Sequence, residues 1–542
     1  MLLMSTSTVS REPVAGNAGT SYKQHPPAGD FDAIVIGSGM GGLASAALLA
    51  RYSGRRVLVL ERHYTAGGFT HVFHRPGYHW DVGVHYIGQM APGSPNRALI
   101  DRITEGRLEW NPMPDVYDRI VIAGRAYDFV SGAARFEERL RQYFPREGAA
   151  IRQYLAHVHA AAGAGRLYFA GKVLPAPLAR LAGPLLGRKF LGYAGQTTAV
   201  VLGGLTQDRE LTGVLTGQWG DYGLPPGQSS FGVHAIVAEH YLEGAFYPVG
   251  GAARVAEAIA PVIERAGGQI VVGAEVEQIL LDAQNRAIGV RMMDGREIRA
   301  SLVLSDAGAW NTYARLLPPG VPGRAEAIAE IERLPHSMGH ICLYVGLRRE
   351  PGEPEFGDTN LWIYPGPDHD ANVAHYLADP GAPFPAVFIS FPSAKDPEFA
   401  QRHPGRATIE VVAPAAYAWF ERWSGTRWKR RGPDYDACKQ QLAARLRAEL
   451  EQHVPAVRGH IEYCELSTPL STEHFANSSG GQIYGAAATP ERFRMRALSP
   501  RTPVRNLYLT GADAALLGVM GALSGGTLAV SAILRRNMMA AK

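Results

Sequence analysis

Cysteine is scarce in this chain: Cys342, Cys438 and Cys464 are the only three in 542 residues. They lie too far apart for a CxxC pair or a metal-ligand cluster, and an odd number suits a reducing compartment, which argues against sulfur redox chemistry and thiolate metal binding. An excess of one charge is missing too. The 54 Lys and Arg against 50 Asp and Glu leave a formal charge of +4, too dilute over so large a surface to hold nucleic acid. No run of about twenty uninterrupted apolar residues occurs, so no spanning helix is expected. The opening MLLM is far too short for a signal-peptide core and passes into Ser, Thr, Pro, Gly and Ala. Residues 1–29 read as a disordered tail, and the protein as cytoplasmic, either free or peripheral on a membrane.

What is present begins with FDAIVIGSGMGGLASAALLARYSGRRVLVLE from Phe31: an apolar strand, a glycine turn, a helix closed by Gly54 and a second strand ending at Glu61. That is a βαβ unit. In its turn, Gly37, Ser38, Gly39, Met40, Gly41 and Gly42, the first glycine permits the sharp bend, Gly39 lets the backbone approach a pyrophosphate, and Gly42 lets helix pack on strand. The helix N-terminus offers unpaired N–H groups to the phosphates. Glu61, followed by Arg62, is placed to accept hydrogen bonds from ribose hydroxyls. Together these elements specify dinucleotide binding, where a lone GxGxxG would not. Gly67 and Gly68 follow in a small-residue loop beside which the rest of a dinucleotide can run. A second block of strands and tight turns spans 267–308, and a third, NLYLTGAD with a small-residue helix through Ile533, closes the chain.

FDAIVIGSGMGGL, ERHYTAGG, DVGVHYIG, FYPVGGAARVAEAI, TPLSTEHF, TPERF and NLYLTGADAALLGVMGAL, in that order, resemble the retinol saturase branch of the carotenoid isomerase and phytoene desaturase flavoproteins. The resemblance covers nearly the whole chain after residue 30 and departs at Phe69 and Thr70, where those saturases carry cysteines. It implies FAD as cofactor, with Val276 holding the adenine through its backbone and Asp513, beside Gly511, near the ribityl and pyrophosphate. The helix near Met520 would aim its N-terminus at the flavin N1 and O2 edge. The fold expected is α/β, an FAD-binding doubly wound Rossmann-like domain (30–100, 241–308 and 476–542) interleaved with an α+β substrate domain (101–240 and 309–475).

Saturating a double bond takes a hydride and a proton. HRPGYHWDVGVHYIG offers proton donors beside large apolar surfaces, and His85 or Tyr86 is the candidate acid; the bland alternative is that these aromatics only pack. A second GxGxxG is absent, so direct reduction by NADPH is not expected and the electron donor or acceptor is unknown. Residues 148–207 hold no Asp or Glu but do hold Arg152, Arg166, Lys172, Arg180, Arg188 and Lys189 among apolar residues. Such a stretch suits contact with anionic lipid, and Pro175, Pro177 and Pro184 are expected to break it into short interfacial helices. The competing reading is a helical cap with snorkelling bases. The expected reaction is FAD-dependent saturation of a C=C bond in a polyene, isoprenoid or fatty-acyl molecule. Its rivals are a redox-neutral cis–trans isomerase or a desaturase and, from another class, a lipid carrier without redox activity.

Overall fold

Runs such as AIVI and VLVLE, apolar on both faces, suit strands covered on both sides, as in parallel sheets. The computed structural model describes residues 18–174, 176–350, 353 and 355–539, with the side chains of 176, 177 and 179–181 left out. In it, six parallel strands lie in the order Thr20–Ser21, Gln269–Val272, Val57–Glu61, Ala33–Ile36, Val303–Ser305 and Leu507–Leu509. One face packs on helices Met40–Ser53, Arg254–Glu264 and Gly518–Leu534. The other packs on a three-stranded antiparallel sheet, Val276–Leu281, Ala287–Met292 and Glu297–Arg299, and on the segment around Tyr313. Gly54 ends the first helix in the left-handed region at φ 65°, a conformation glycine adopts without strain.

The expected tail shortens here. Thr20 and Ser21 pair with Val271 and Val272 at the open edge of the sheet, because an edge strand offers unpaired N–H and C=O groups. The Tyr22 hydroxyl donates to Asp294 at 3.0 Å. Residues 1–17 of that expectation lie outside the described residues.

A seven-stranded sheet forms the second layer, in the order Ile461–Ser467, Gly339–Arg348, Arg406–Ala415, Val387–Ser390, Asn360–Tyr364, Val116–Ile122 and Arg125–Val130. All its pairs are antiparallel except Asn360–Tyr364 with Val116–Ile122. Over it lie the helices Gly148–Lys172, Ala176–Ala194 and Phe231–Tyr241. Pro175 lies outside the described residues, and neither of the other two prolines produces a short helix. Pro177 falls in the first turn of Ala176–Ala194, where no N–H bond is lost, and Pro184 sits inside a helix that continues past it. Packing of Phe190 and Ala194 into the core outweighs the local proline penalty. No described helix is long and apolar enough to cross a membrane.

Candidate active site

The carboxyl ends of the parallel strands open into one cavity of 2510 Å³ that continues to the inner face of the seven-stranded sheet. Gly37, Gly39, Met40, Glu61, Arg62, Gly67, Gly68, Val276, Asp513 and His85 all line it. Ser38, Gly41, Gly42 and Gly511 lie just behind the wall, and the Met520 side chain turns into the core, leaving Gly518, Val519 and Ala522 at the cavity.

At the glycine turn, close backbone approach is built in. A Cβ on Gly68 would come within 2.8 Å of Gly39 Cα, so the glycine pair and the phosphate turn pack backbone against backbone. Ser38 ties them to the ribose acid: Gly67 N–H donates to Ser38 Oγ at 3.1 Å, and Ser38 donates to Glu61 through N at 2.8 Å and Oγ at 2.7 Å. His63 N–H adds a third bond to Glu61 at 2.7 Å. A carboxylate has about four lone-pair sites, so capacity remains for a sugar hydroxyl. Asp513 accepts from Ala309 N at 2.7 Å and Ala486 N at 2.8 Å, which pins two cavity loops to the C-terminal segment. The turn, the acid and the helix N-terminus fit a dinucleotide, and the turn keeps its shape only without side chains: a Cβ at Gly39 would strike the Asp306 carboxyl and one at Gly68 the Gly39 backbone.

Sequence reasoning passed over Asp306. It ends the strand Val303–Ser305, and its carboxyl lies under the turn, with Oδ2 2.5 Å from where a Gly39 Cβ would stand. Burial, then the nearby charges of Glu61 and Asp513, push it up to about 8 against the pull of the Gly42 and Gly39 N–H groups. Its position at the carboxyl end of a central parallel strand was the available signal.

The far end of the cavity is walled by Trp219, Trp362, Phe388, Met338 and Tyr484. His85 stands there with its ring edge against Phe388 at 5.0 Å, and its Nδ1 lies 2.9 Å from Glu410 Oε2. Burial, helped by the Lys395 charge, drops the imidazole to about 3, and burial lifts Glu410 to about 8. Both groups are therefore neutral near pH 7. Lys395, lowered by burial to about 7, donates to the His85 carbonyl at 3.0 Å, Ser390 Oγ at 2.8 Å and Asn360 Oδ1. Glu410 is an acid in the apolar strand ATIEVVAPA, a pattern break that sequence reasoning could have caught.

Tyr86 lies behind the wall. Its hydroxyl is 2.9 Å from Asp118 Oδ2 and 3.2 Å from Asp221 Oδ2. One hydroxyl hydrogen cannot serve two carboxylates, so one acid keeps its proton. Burial raises both acids, but Asp118 also receives Gln218 at 2.7 Å and Asn360 at 3.0 Å, whereas the charge of Asp118 pushes Asp221, which lines the cavity, still further above the carboxylate range. Asp221 holds the proton. Nearby Trp80 is structural, its indole N–H donating to Val345 O at 3.0 Å.

The family model for flavin containing amine oxidoreductase matches residues 40–534. An all-trans-retinol 13,14-reductase of Danio rerio is 37% identical over 529 residues, covering 94% of this chain and 87% of that one. A chloroplastic prolycopene isomerase of an Oncidium hybrid cultivar is 26% identical, covering 86% and 77%. Among solved structures, cyclohexylamine oxidase from Brevibacterium oxydans IH-35A superposes with a TM-score of 0.58 at 18% identity, covering 94% of this chain and 99% of that one, a likeness of fold.

Proposed function

The chain belongs to the flavin-containing amine oxidoreductase family, on its retinol reductase side, and from that premise we propose that it saturates a C=C bond of a retinoid or similar polyene. The observation that carries this reading is the single cavity joining the dinucleotide cradle to an aromatic wall in which His85 is a partly open polar group. The turn Gly37–Gly42 would hold the FAD pyrophosphate, Glu61 the ribose and the Val276 backbone the adenine. Asp513, Gly511 and the N-terminus of Gly518–Leu534 would hold the flavin end. When bound and reduced, FAD supplies the hydride. The chain supplies the proton and a dry, apolar surround. His85 is the group placed to give that proton, since the Tyr86 hydroxyl is held by two acids behind the wall.

With no second dinucleotide fingerprint, we take the electron donor to be external. We also propose peripheral membrane contact through Gly148–Lys172 and Ala176–Ala194, with substrate entering from lipid. Reduced holoprotein incubated without oxygen with all-trans-retinol and a panel of longer polyenes tests the reaction by product mass. A gain of two hydrogens is expected. Unchanged mass with altered double-bond geometry would replace saturation by isomerisation, and no conversion of any polyene would leave a carrier.

A further inference from the structure

We propose that Glu410 is the proton reservoir behind His85: its carboxylic acid refills the imidazole at Nδ1 as Nε2 gives its proton to the substrate carbon. This rests on the reading of His85 as donor given above. Glu410 is fully buried in the strand Arg406–Ala415, and its carboxyl oxygens receive no well-formed hydrogen bond, the Asp81 backbone N–H being the one donor close enough to act on them. His85 Nδ1 is likewise sealed and without a donor or acceptor of its own, yet the two groups stand 2.9 Å apart. A buried carboxylate so poorly provided with donors is too costly to persist, and a carboxylic acid whose O–H points at Nδ1 gives that nitrogen and one carboxyl oxygen a partner at once. That bond fixes the imidazole tautomer with its hydrogen on Nε2. The part of the ring left open lines the cavity.

The balance closes within these two side chains. Hydride addition at one alkene carbon leaves an electron pair on its neighbour. That pair takes the Nε2 proton, the electrons of the broken N–H bond stay on the ring, and Nδ1 takes the proton of Glu410. The negative charge ends on the Glu410 carboxylate, near Lys395, which acts on it when protonated, below about pH 7. The other ionisable groups around Glu410 are Asp81, Tyr247, Cys342 and Tyr344. The tyrosines and the thiol are all held neutral by burial, and Asp81, raised to about 7, already accepts from Tyr247. None of them contacts His85 Nδ1. Glu410 acts only through His85 and is a positioning and relay residue.

Infrared difference spectra of the FAD-loaded protein, taken as pH crosses about 8, test the protonation state without substrate. We expect a carboxylic-acid C=O band that converts to carboxylate across this range and is missing in Glu410→Gln. If no acid band depends on Glu410, the reservoir is overturned. In the second arm, flavin prereduced with dithionite is reoxidised by all-trans-retinol in a single turnover. Wild type should slow above about pH 8 as Glu410 loses its proton, Glu410→Gln should be slower by about tenfold or more and lack that pH limb, and Glu410→Asp should restore part of both. His85→Gln is run alongside. If it is slow while Glu410→Gln keeps the wild-type rate and limb, the reservoir falls and the donor stands. A wild-type rate in His85→Gln removes the donor and the relay together.

Discussion

Asp306 shows how much one residue can decide at the phosphate turn. An ionised carboxylate bonded to the Gly39 and Gly42 N–H groups would repel a pyrophosphate, but burial raises Asp306 to about 8, so the acid is neutral near pH 7 and sets no like charge beneath the anion. The sign follows from the direction of the shift. Below about 8 the proton is on and FAD binds fully; above it the carboxylate appears, and affinity should weaken by up to about tenfold per pH unit. Asp306→Asn should hold FAD at neutral pH and lose this alkaline weakening, measured by flavin fluorescence quenching on titration. A wild-type affinity that is flat across pH 8 would mean that Asp306 does not sense the phosphates.

At the scale of elements, the FAD cradle is a seam where backbones touch. A Cβ on Gly526 in the C-terminal helix would run into the Gly41 carbonyl and lie 3.0 Å from Ser45 Oγ, and one on Gly525 would strike Gly511. The two helices and the 511 turn therefore meet through glycine, and a side chain there would displace the phosphate turn. Gly526→Val should cost about 1–3 kcal/mol through overpacking and should also loosen FAD, read as a lower Tm together with a raised Kd. Gly163→Ala, in a helix with open space around it, is the control, expected to gain about 0.5–1 kcal/mol with flavin binding unchanged. A Tm loss without any flavin effect would separate the seam from the site. These contacts explain what was legible. The turn, Glu61 and Gly54 were readable because each is local chemistry at fixed spacing, whereas Glu410 and Asp306 reach the site from strands hundreds of residues away and gain meaning only through sheet register. The proline-bearing helix was misread because its local penalty is set against tertiary packing that sequence spacing does not reveal.

On the scale of the whole molecule, we propose that the chain divides as its two large sheets do. Five of the six parallel strands come from 30–100, 241–308 and 476–542, and the seven-stranded sheet comes from 101–240 and 309–475. Such interleaving makes independent folding of either part improbable on entropic grounds, since each sheet closes loops formed by the other.

Outside the cavity, two of the helices over the second sheet, Gly148–Lys172 and Ala176–Ala194, carry large apolar side chains in the open. Leu167, Leu178 and Leu185 are 56%, 53% and 75% exposed, and Leu178 and Leu185 are seven residues apart, hence on one helical face. Arg152, Arg166, Arg188 and Lys189 are exposed on the same two helices, Arg166 next to Leu167 in sequence and Arg188 and Lys189 one turn beyond Leu185. Lys172, counted with them in the sequence, instead turns inward: its Nζ donates to Leu498 O at 2.8 Å, and burial lowers it to about 7. Exposed leucines and bases on the same two helices, with no acid from 148 to 207, suit a surface that sits on anionic lipid, where each base contributes about 1 kcal/mol. A polyene is nearly insoluble, so a face that rests on the bilayer also gives its substrate a dry route inward. Changing Arg166, Arg188 and Lys189 to Glu should abolish co-sedimentation with vesicles rich in anionic lipid, and raised salt should weaken the wild type in the same direction. Leu178→Ser with Leu185→Ser should weaken binding at every salt concentration, because the apolar contribution is not screened. If charge reversal and the serine pair both leave co-sedimentation at the wild-type level, or the wild type itself stays in solution, the two helices are a solvent-facing cap and substrate must arrive by another path.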